Sequence, residues 1–377
     1  MTVSSPPLRI ALVVFRLAPA GGLEQHALRL ADLLARRGHG VTMLTTRAPV
    51  GGAASGVEVE VLPARGRSNH GRLAAFAEDA ARAAANRFDR TVAFHAVPGF
   101  DVVFCADPSR ARPGPLKALS PRYRTYARLE RAAFAPPSRT LVLCLAAAQR
   151  DAFVRNNRAP PDRLVLLPPT VERIATDPDA RTPGARGAAR ADLAIAAPAP
   201  VWLWMGLQPK TKGLDRALAA LASEPQARLI VTGLDPASRS GRAARDLAQR
   251  LRVSERVTWL GFASRERLGG AQAAADLLLH PARDDVTGTV ILEAMARGLP
   301  VVATEVCGYA EHVRRADAGV VLAEPFRAAD LRRALADASP AQLAGWSANA
   351  LAYMRQDGLF TGLDRAADAI EAAPRVA

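Results

Sequence analysis

"DDVTGTVILEAMARGLPVVAT", residues 284–304, reads as a loop, a helix and a strand in succession. The helix opens on Thr287, Gly288 and Thr289, and the β-branched run near its end is a short buried strand. With "ADLLLHPA" (275–282) as the strand before the loop, the segment is a strand–helix–strand unit of a parallel sheet with helices on its faces.

The same alternation extends outward in both directions. Towards the C-terminus "GVVLAE" (319–324) adds a strand, and upstream lie "VWLWMG" (201–206), "RLIVTG" (228–233) and "VTWLGF" (257–262), separated by helical stretches such as "GLDRALAALASE" (213–224). An earlier series starts at "LRIALVVF" (8–15) and ends near Pro168; its first helix carries Leu23, Ala27, Leu30 and Leu34 at helical spacing. Between the two series, residues 173–199 are rich in Ala, Pro, Arg and Gly and contain no extended strand, so they are expected to be a linker or a decorated loop, with a helical turn possible at Ala191–Ile195. Two α/β domains follow, and open α/β sheets bind ligands at the carboxyl ends of their strands.

Composition limits the function classes. The chain has 377 residues, 49% hydrophobic, enough for two cores. Its N-terminus lacks a basic region followed by an apolar signal core, and its longest apolar runs are far shorter than a membrane span, so a cytoplasmic location is expected. Cys105, Cys144 and Cys307 are isolated in sequence, which suggests neither a disulfide framework nor a zinc cluster. A formal charge of +14 points to an acidic partner without choosing between nucleic acid, anionic lipid and a phosphorylated substrate.

Three glycine- or charge-bearing loops carry the chemistry. In the 284–304 segment, the helix N-terminus offers unpaired N–H groups to a phosphate. Asp285 precedes that helix and Glu293 lies two turns inside it, up to about 12 Å away at the helical rise; a nucleotide sugar has this span, and carboxylates accept hydroxyl hydrogen bonds well. An N-cap by Asp285 and an exposed Glu293 is the plainer alternative for each residue alone. In "FRLAPAGGLEQH" (15–26), Gly21 and Gly22 let the backbone approach a phosphate or sugar. In "GLQPKTKGLDRAL" (206–218), Lys210 and Lys212 precede a helix and can neutralise a diphosphate leaving group. Neither G-x-G-x-x-G nor a P-loop occurs, which counts against a dinucleotide dehydrogenase and a P-loop NTPase.

Together these stretches resemble the retaining glycosyltransferases of family 4, which have the GT-B fold of two Rossmann-like domains facing across a cleft. By that resemblance the donor site comprises Gly21, Gly22, Lys210, Thr211, Lys212, Asp285, Gly288, Thr289, Val290 and Glu293. The family's E-x7-E motif maps onto Asp285 and Glu293, with an acid one methylene shorter at the first position, and its Arg/Lys pair maps onto Thr211 and Lys212, with Lys210 able to restore the missing charge. The implied domains are 1–172 for the acceptor, with a C-terminal helix at about 357–377 packing back on it, and 200–356 for the nucleotide sugar. The likeness narrows to enzymes of the lipopolysaccharide core through "SNHGR" (68–72), "PGFDVVFCAD" (98–107), "SPRYRTYARLERAAF" (120–134), "LLPP" (166–169), "AADLLLHPA" (274–282) and "VCGYA" (306–310). It implies transfer of a hexose, glucose from UDP-glucose, onto a heptose of the inner core, with no cofactor beyond the nucleotide-sugar co-substrate and no metal.

On the acceptor side the resemblance makes Asp107, at the carboxyl edge of its strand, the acid or base near the acceptor hydroxyl; Asn69, His70 and Arg72 are assigned to a substrate-side loop. Arg110, Arg112, Lys117, Arg122, Tyr123, Arg124, Tyr126, Arg128 and Arg131 interleave basic and aromatic residues, a pattern suited to the anionic inner face of the cytoplasmic membrane; an ordinary amphipathic helix packed on its own domain is the alternative. The D-x-D at Asp177–Asp179 lies in the Ala/Pro-rich stretch, which disfavours a metal-dependent architecture. Two further readings stay open. One is a family 4 transferase for UDP-galactose, GDP-mannose or UDP-N-acetylglucosamine with a different glycolipid. The other is a basic nucleic-acid-binding protein, although the sequence carries no motif for that.

Overall fold

The computed structural model describes residues 6–376 apart from 18–21, 49–54, 113, 115–117, 172, 174, 175, 177, 196 and 197. Gly21, Lys117 and Asp177 therefore lie outside the described residues. The chain divides into two units, residues 1–172 with 358–377, and residues 173–357.

The first unit holds a seven-stranded sheet of β1 (Arg9–Val14), β2 (Gly40–Thr45), β3 (Val57–Val61), β4 (Arg90–Ala93), β5 (Val102–Cys105), β6 (Leu141–Cys144) and β7 (Leu164–Leu166), in the order β3-β2-β1-β4-β5-β6-β7. Every adjacent pair is parallel. Helices cover the sheet, so the central strands are continuous apolar runs with no polar face. Phe94 and Phe104 stack with ring centroids 5.1 Å apart within this core. The C-terminal helix Gly362–Ala372 belongs to this unit. Arg37 grips Asp364, Asp368 and Glu371 on it, and His39 meets Glu371 at 3.1 Å.

The second unit holds six parallel strands, β8 (Val201–Met205), β9 (Arg228–Thr232), β10 (Val257–Gly261), β11 (Leu277–His280), β12 (Val301–Thr304) and β13 (Gly319–Leu322), ordered β10-β9-β8-β11-β12-β13. All five residues of "VWLWM" in β8 are buried. Each large side chain removed from water in this way contributes roughly 1.5–3 kcal/mol.

Residues 173–199 depart from the expectation of a linker or loop, because they contain the helix Pro183–Asp192, N-capped by Thr182. Three arginines of this stretch fasten it to the start of β11. Arg181 donates to the carbonyls of Gln272 and Ala275, while Arg186 and Arg190 both pair with Asp276. Asp276 also accepts the Val201 N–H at 2.7 Å. The Ala- and Arg-rich composition was a helix with a buried basic edge, and the periodicity was too short to show it.

Both sheets change winding direction between adjacent strands that are distant in sequence: β1 and β4 in the first unit, β8 and β11 in the second. At such a switch point the loops leaving the two strands diverge to opposite faces and open a crevice. In the second unit the crevice walls are pinned together. Thr211 O accepts the Arg283 N–H at 2.7 Å, and Gly213, at φ +73°, lies against Pro281. A Cβ at Gly213 would stand 2.0 Å from the Pro281 oxygen, in a backbone region that L side chains avoid. Gly213→Ala is therefore expected to cost at least about 2 kcal/mol, seen as a lower thermal midpoint in calorimetry.

Candidate functional site

The crevice at β8 and β11 belongs to the second unit and carries Lys210, Thr211, Lys212, Asp285, Gly288, Thr289, Val290 and Glu293 of the residues expected to hold a nucleotide sugar, whereas Gly22 belongs to the first unit. After β11 the chain runs through Pro281 and Ala282 to Asp285, and the helix Thr289–Ala296 begins three residues beyond Val286 with Gly288 as its N-cap at φ +77°. Gly288 carries no capping side chain. Asp285 acts instead: its Oδ1 accepts the Gly288 N–H at 3.0 Å. Its Oδ2 lies 2.9 Å from Lys212 Nζ and 2.9 Å from His280 Nε2. Lys212 Nζ also donates to the Asp284 carbonyl at 3.3 Å.

Burial of Asp285 acts to raise its pKa, but the hydrogen bond from His280 and the charge of Lys212 outweigh it and hold the carboxyl below its ordinary range. Cys307 Sγ closes the same corner from the loop after β12. Burial and the nearby Asp285 charge push its thiol up to about 12, so it stays protonated. Ligand atoms of His280, Asp285 and Cys307 lie within 4.8 Å of one another, a grouping among the described residues with the donor set for a metal ion. The Lys212 ammonium already occupies the carboxylate edge that such an ion would need.

The sequence placed Lys212, Asp285, Gly288, Thr289, Val290 and Glu293 in one site, and the fold brings their loops and helix to one sheet edge. Glu293 sits half-buried in the second turn of the helix. Lys210 differs from its neighbour: its side chain is exposed, and its carbonyl accepts from Arg283, which also pairs with Asp215. The expectation missed His280, Arg283 and the backing role of "VCGYA". In that segment the Gly308 and Tyr309 N–H groups donate to the carbonyls of Asp285 and Thr287. His280 could have been found by position alone, since it ends β11 at the carboxyl edge.

In the first unit Asp107 lies two residues beyond β5. Its Oδ1 accepts from Arg110 Nη2 at 2.9 Å, and Oδ2 is 3.9 Å from His95 Nδ1, a residue just past β4. Burial acts to raise the Asp107 pKa, but His95 and Arg110 outweigh it and lower it. The turn is clamped from behind by buried Gln149, whose amide donates to the carbonyls of Cys105 and Asp107 and accepts the Leu145 N–H. Glu130, which interrupts the apolar stripe of its helix, is almost fully buried and accepts from Ser109, Asn157 and the Arg110 N–H.

Arg110 was expected on a membrane-facing surface. It is instead turned onto Asp107 and stacked over Tyr126 at 4.9 Å, because a carboxylate and an aromatic face compete successfully with water for a guanidinium. Arg131 likewise donates to the Ala111 carbonyl. Arg112, Arg122, Arg124, Arg128 and Arg131 remain exposed, as does Leu119 at 78%. A hollow of about 760 Å³ is lined by Arg112, Arg124, Arg128 and Arg131. Tyr123 is half-buried on the same helix, Pro121–Phe134.

Asn69, His70 and Arg72 begin the helix Asn69–Ala84. His70 meets Ser68 Oγ at 3.1 Å, and Arg72 Nε donates to the Gly66 carbonyl at 2.8 Å, so both shape the turn that carries them. Gly22 starts the helix Gly22–Arg36. His26 on that helix meets Thr170 Oγ1 at 2.9 Å.

The depressed pKa of Asp285 has a signed consequence. Such a carboxylate contributes stability that is complete above its unfolded value near 3.9 and lost as the pH falls through the lower folded value. The deficit in thermal midpoint of Asp285→Asn relative to the wild type should therefore be constant between about pH 8 and 5 and shrink below about pH 4, measured by scanning calorimetry across that range.

Two family models cover most of the chain: Glycosyltransferase Family 4 matches residues 20–173 and Glycosyl transferases group 1 matches residues 186–343. Lipopolysaccharide glucosyltransferase WaaG of Escherichia coli (strain K12) is 35% identical, over 96% of this chain and 98% of its own. D-inositol 3-phosphate glycosyltransferase of Mycobacterium sp. (strain KMS) is 32% identical, over 84% of this chain and 79% of its own. The crystal structure of WaaG, a glycosyltransferase involved in lipopolysaccharide biosynthesis, superposes with a TM-score of 0.83 at 33% identity, covering 97% of this chain and all of that one. Two parallel Rossmann-like units, a helix N-terminus flanked by acids and identity along nearly the whole length agree: the chain belongs to glycosyltransferase family 4, with the GT-B fold.

Proposed function

We propose that this chain is a lipopolysaccharide core glucosyltransferase that moves glucose from UDP-glucose onto a heptose of the inner core, with retention of anomeric configuration and without a metal ion. The observation that carries the reading is the near full-length identity to a lipopolysaccharide glucosyltransferase. The local chemistry supports it. Lys212 and the N-terminus of the helix Thr289–Ala296 supply positive potential for a diphosphate leaving group. Glu293 is assigned to the donor, as are Gly21, Gly22, Lys210 and Thr211 around the phosphates. Leu207 and Phe262 are exposed just past β8 and β10, on either side of Gly233, and offer apolar surface to a nucleobase.

Asp107 is the acid or base for the acceptor hydroxyl, and Asn69, His70 and Arg72 shape the acceptor side. The exposed arginines beside Leu119 are assigned to the anionic cytoplasmic face of the inner membrane, where the glycolipid acceptor resides. No helix among the described residues is long and apolar enough to cross a membrane. A different nucleotide sugar on a different glycolipid is the second reading, favoured by the shorter acid at Asp285.

Calorimetric titration with UDP, GDP, ADP and their hexose conjugates tests the donor, with and without chelator. Selective UDP and UDP-glucose binding that survives chelation is expected; preference for GDP or another sugar would move the function to the second reading. Transfer onto heptose-terminated lipopolysaccharide then tests the acceptor. Glu293→Ala should weaken UDP-glucose binding about tenfold or more, the scale of one charge-assisted hydrogen bond. Asp107→Ala should lower turnover by about 100-fold or more with little change in donor affinity. Normal transfer by both variants would remove the site assignment.

A further inference from the structure

Within the donor-site reading, we infer that Asp285 is a positioning residue that holds the Lys212 ammonium at the mouth of the helix Thr289–Ala296, and that His280 in turn holds Asp285. On this view Asp285 grips the diphosphate indirectly, through Lys212, and does not read the hydroxyls of the transferred sugar. The inference rests on the reading of this crevice as the donor site and assigns a different division of labour within it.

The coordination of the carboxylate carries the argument. A carboxylate offers about four lone-pair sites. Three are committed to protein donors: the Gly288 N–H at 3.0 Å, His280 Nε2 at 2.9 Å and Lys212 Nζ at 2.9 Å. The side chain is only 11% exposed. Its backbone is fixed as well, through the Gly308 N–H on its carbonyl and a β-bridge to Cys307. A side chain held at both oxygens and at its backbone has little freedom to turn towards a sugar.

His280 has the geometry of a dedicated support. Its side chain is 1% exposed, Nε2 faces Asp285, and Nδ1 is buried with no hydrogen-bond partner among the described residues. With Nε2–H donating to Oδ2 the ring leaves no buried N–H at Nδ1 without an acceptor. The lysine is prepared from the other side. Its N–H donates to the Gln208 carbonyl at 2.8 Å, and its own carbonyl accepts from the Trp204 indole at 3.0 Å. A free lysine side chain loses rotamer entropy when immobilised. Anchoring it before the ligand arrives removes that cost from binding.

A double-mutant cycle separates the two roles, because UDP carries the diphosphate but not the transferred hexose. UDP and UDP-glucose are titrated into the wild type, Asp285→Asn, Lys212→Met and the double variant, with the fold of each checked by thermal unfolding. Asp285→Asn is expected to weaken UDP and UDP-glucose by the same factor, about tenfold, and to have no further effect once Lys212 is methionine. His280→Leu leaves the carboxylate in place and serves if Asp285→Asn does not fold; it should weaken UDP several-fold, again only when Lys212 is present. A loss confined to UDP-glucose, or losses in the double variant that multiply, would overturn the inference while leaving the donor site intact. A wild type that binds neither ligand would overturn the donor-site reading and this inference with it.

Discussion

The contact between Lys212 and Asp285 is the constraint around which the second unit is arranged. It joins the loop leaving β8 to the loop leaving β11, the two strands at which the sheet changes winding direction. Much else in that corner follows from keeping it intact. Gly213 is glycine because Pro281 leaves no room for a side chain, and Trp204 reaches up from β8 to the Lys212 carbonyl. Thr304 and the segment from Cys307 to Tyr309 brace the Asp285 loop from β12. Desolvation offsets part of the attraction in a partly buried ion pair of this kind, so its net contribution to stability is smaller than its Coulombic strength. Its use is positional, since it leaves a cation aimed at a helix N-terminus.

The first unit holds its corresponding turn with an amide and a buried carboxylate. Asp107 stands at a strand end with its side chain 41% exposed, and the turn that carries it is held through its backbone carbonyls as well as through the carboxylate. Gln149 reads two carbonyls of that turn and Glu130 takes the N–H and hydroxyl just beyond it. The carboxylate keeps a guanidinium and an imidazole for company, which favours its ionised form. Both units therefore place an anionic oxygen at a carboxyl strand edge beside a cation and a histidine.

The large positive charge divides into two populations. One is internal: Arg181, Arg186 and Arg190 bind a stretch of irregular composition to β11, and Arg37 binds the C-terminal helix. Burial lowers the Arg181 pKa to about 10, with the neighbouring Arg186 adding to the effect, so it remains charged at neutral pH. The other is exposed, and includes the arginines around Leu119 as well as others such as Arg239, Arg245 and Arg265 in the second unit. Net charge alone could not separate them, because a guanidinium that satisfies carbonyls and one that faces water count the same.

The sequence by itself determined the alternation of strands and helices, the two-unit organisation that follows from it, and the loops at which chemistry would occur. Those features are local: buried parallel strands must be apolar runs, and a helix must begin where its N–H groups can be met. "DDVTGTVILEAMARGLPVVAT" announces both. It also identified the Pro121–Phe134 helix, but not that Glu130 lies inside, since a buried acid is stable only when partners distant in sequence complete its hydrogen bonds. For the same reason the helix Pro183–Asp192 was legible only once Asp276 was beside it. His280, 68 residues from Lys212 in numbering yet on the same carboxylate, shows what tertiary structure alone decided. Which side chain an acid binds depends on which strands are neighbours, and neighbours in a sheet with a switch point are not neighbours in the chain.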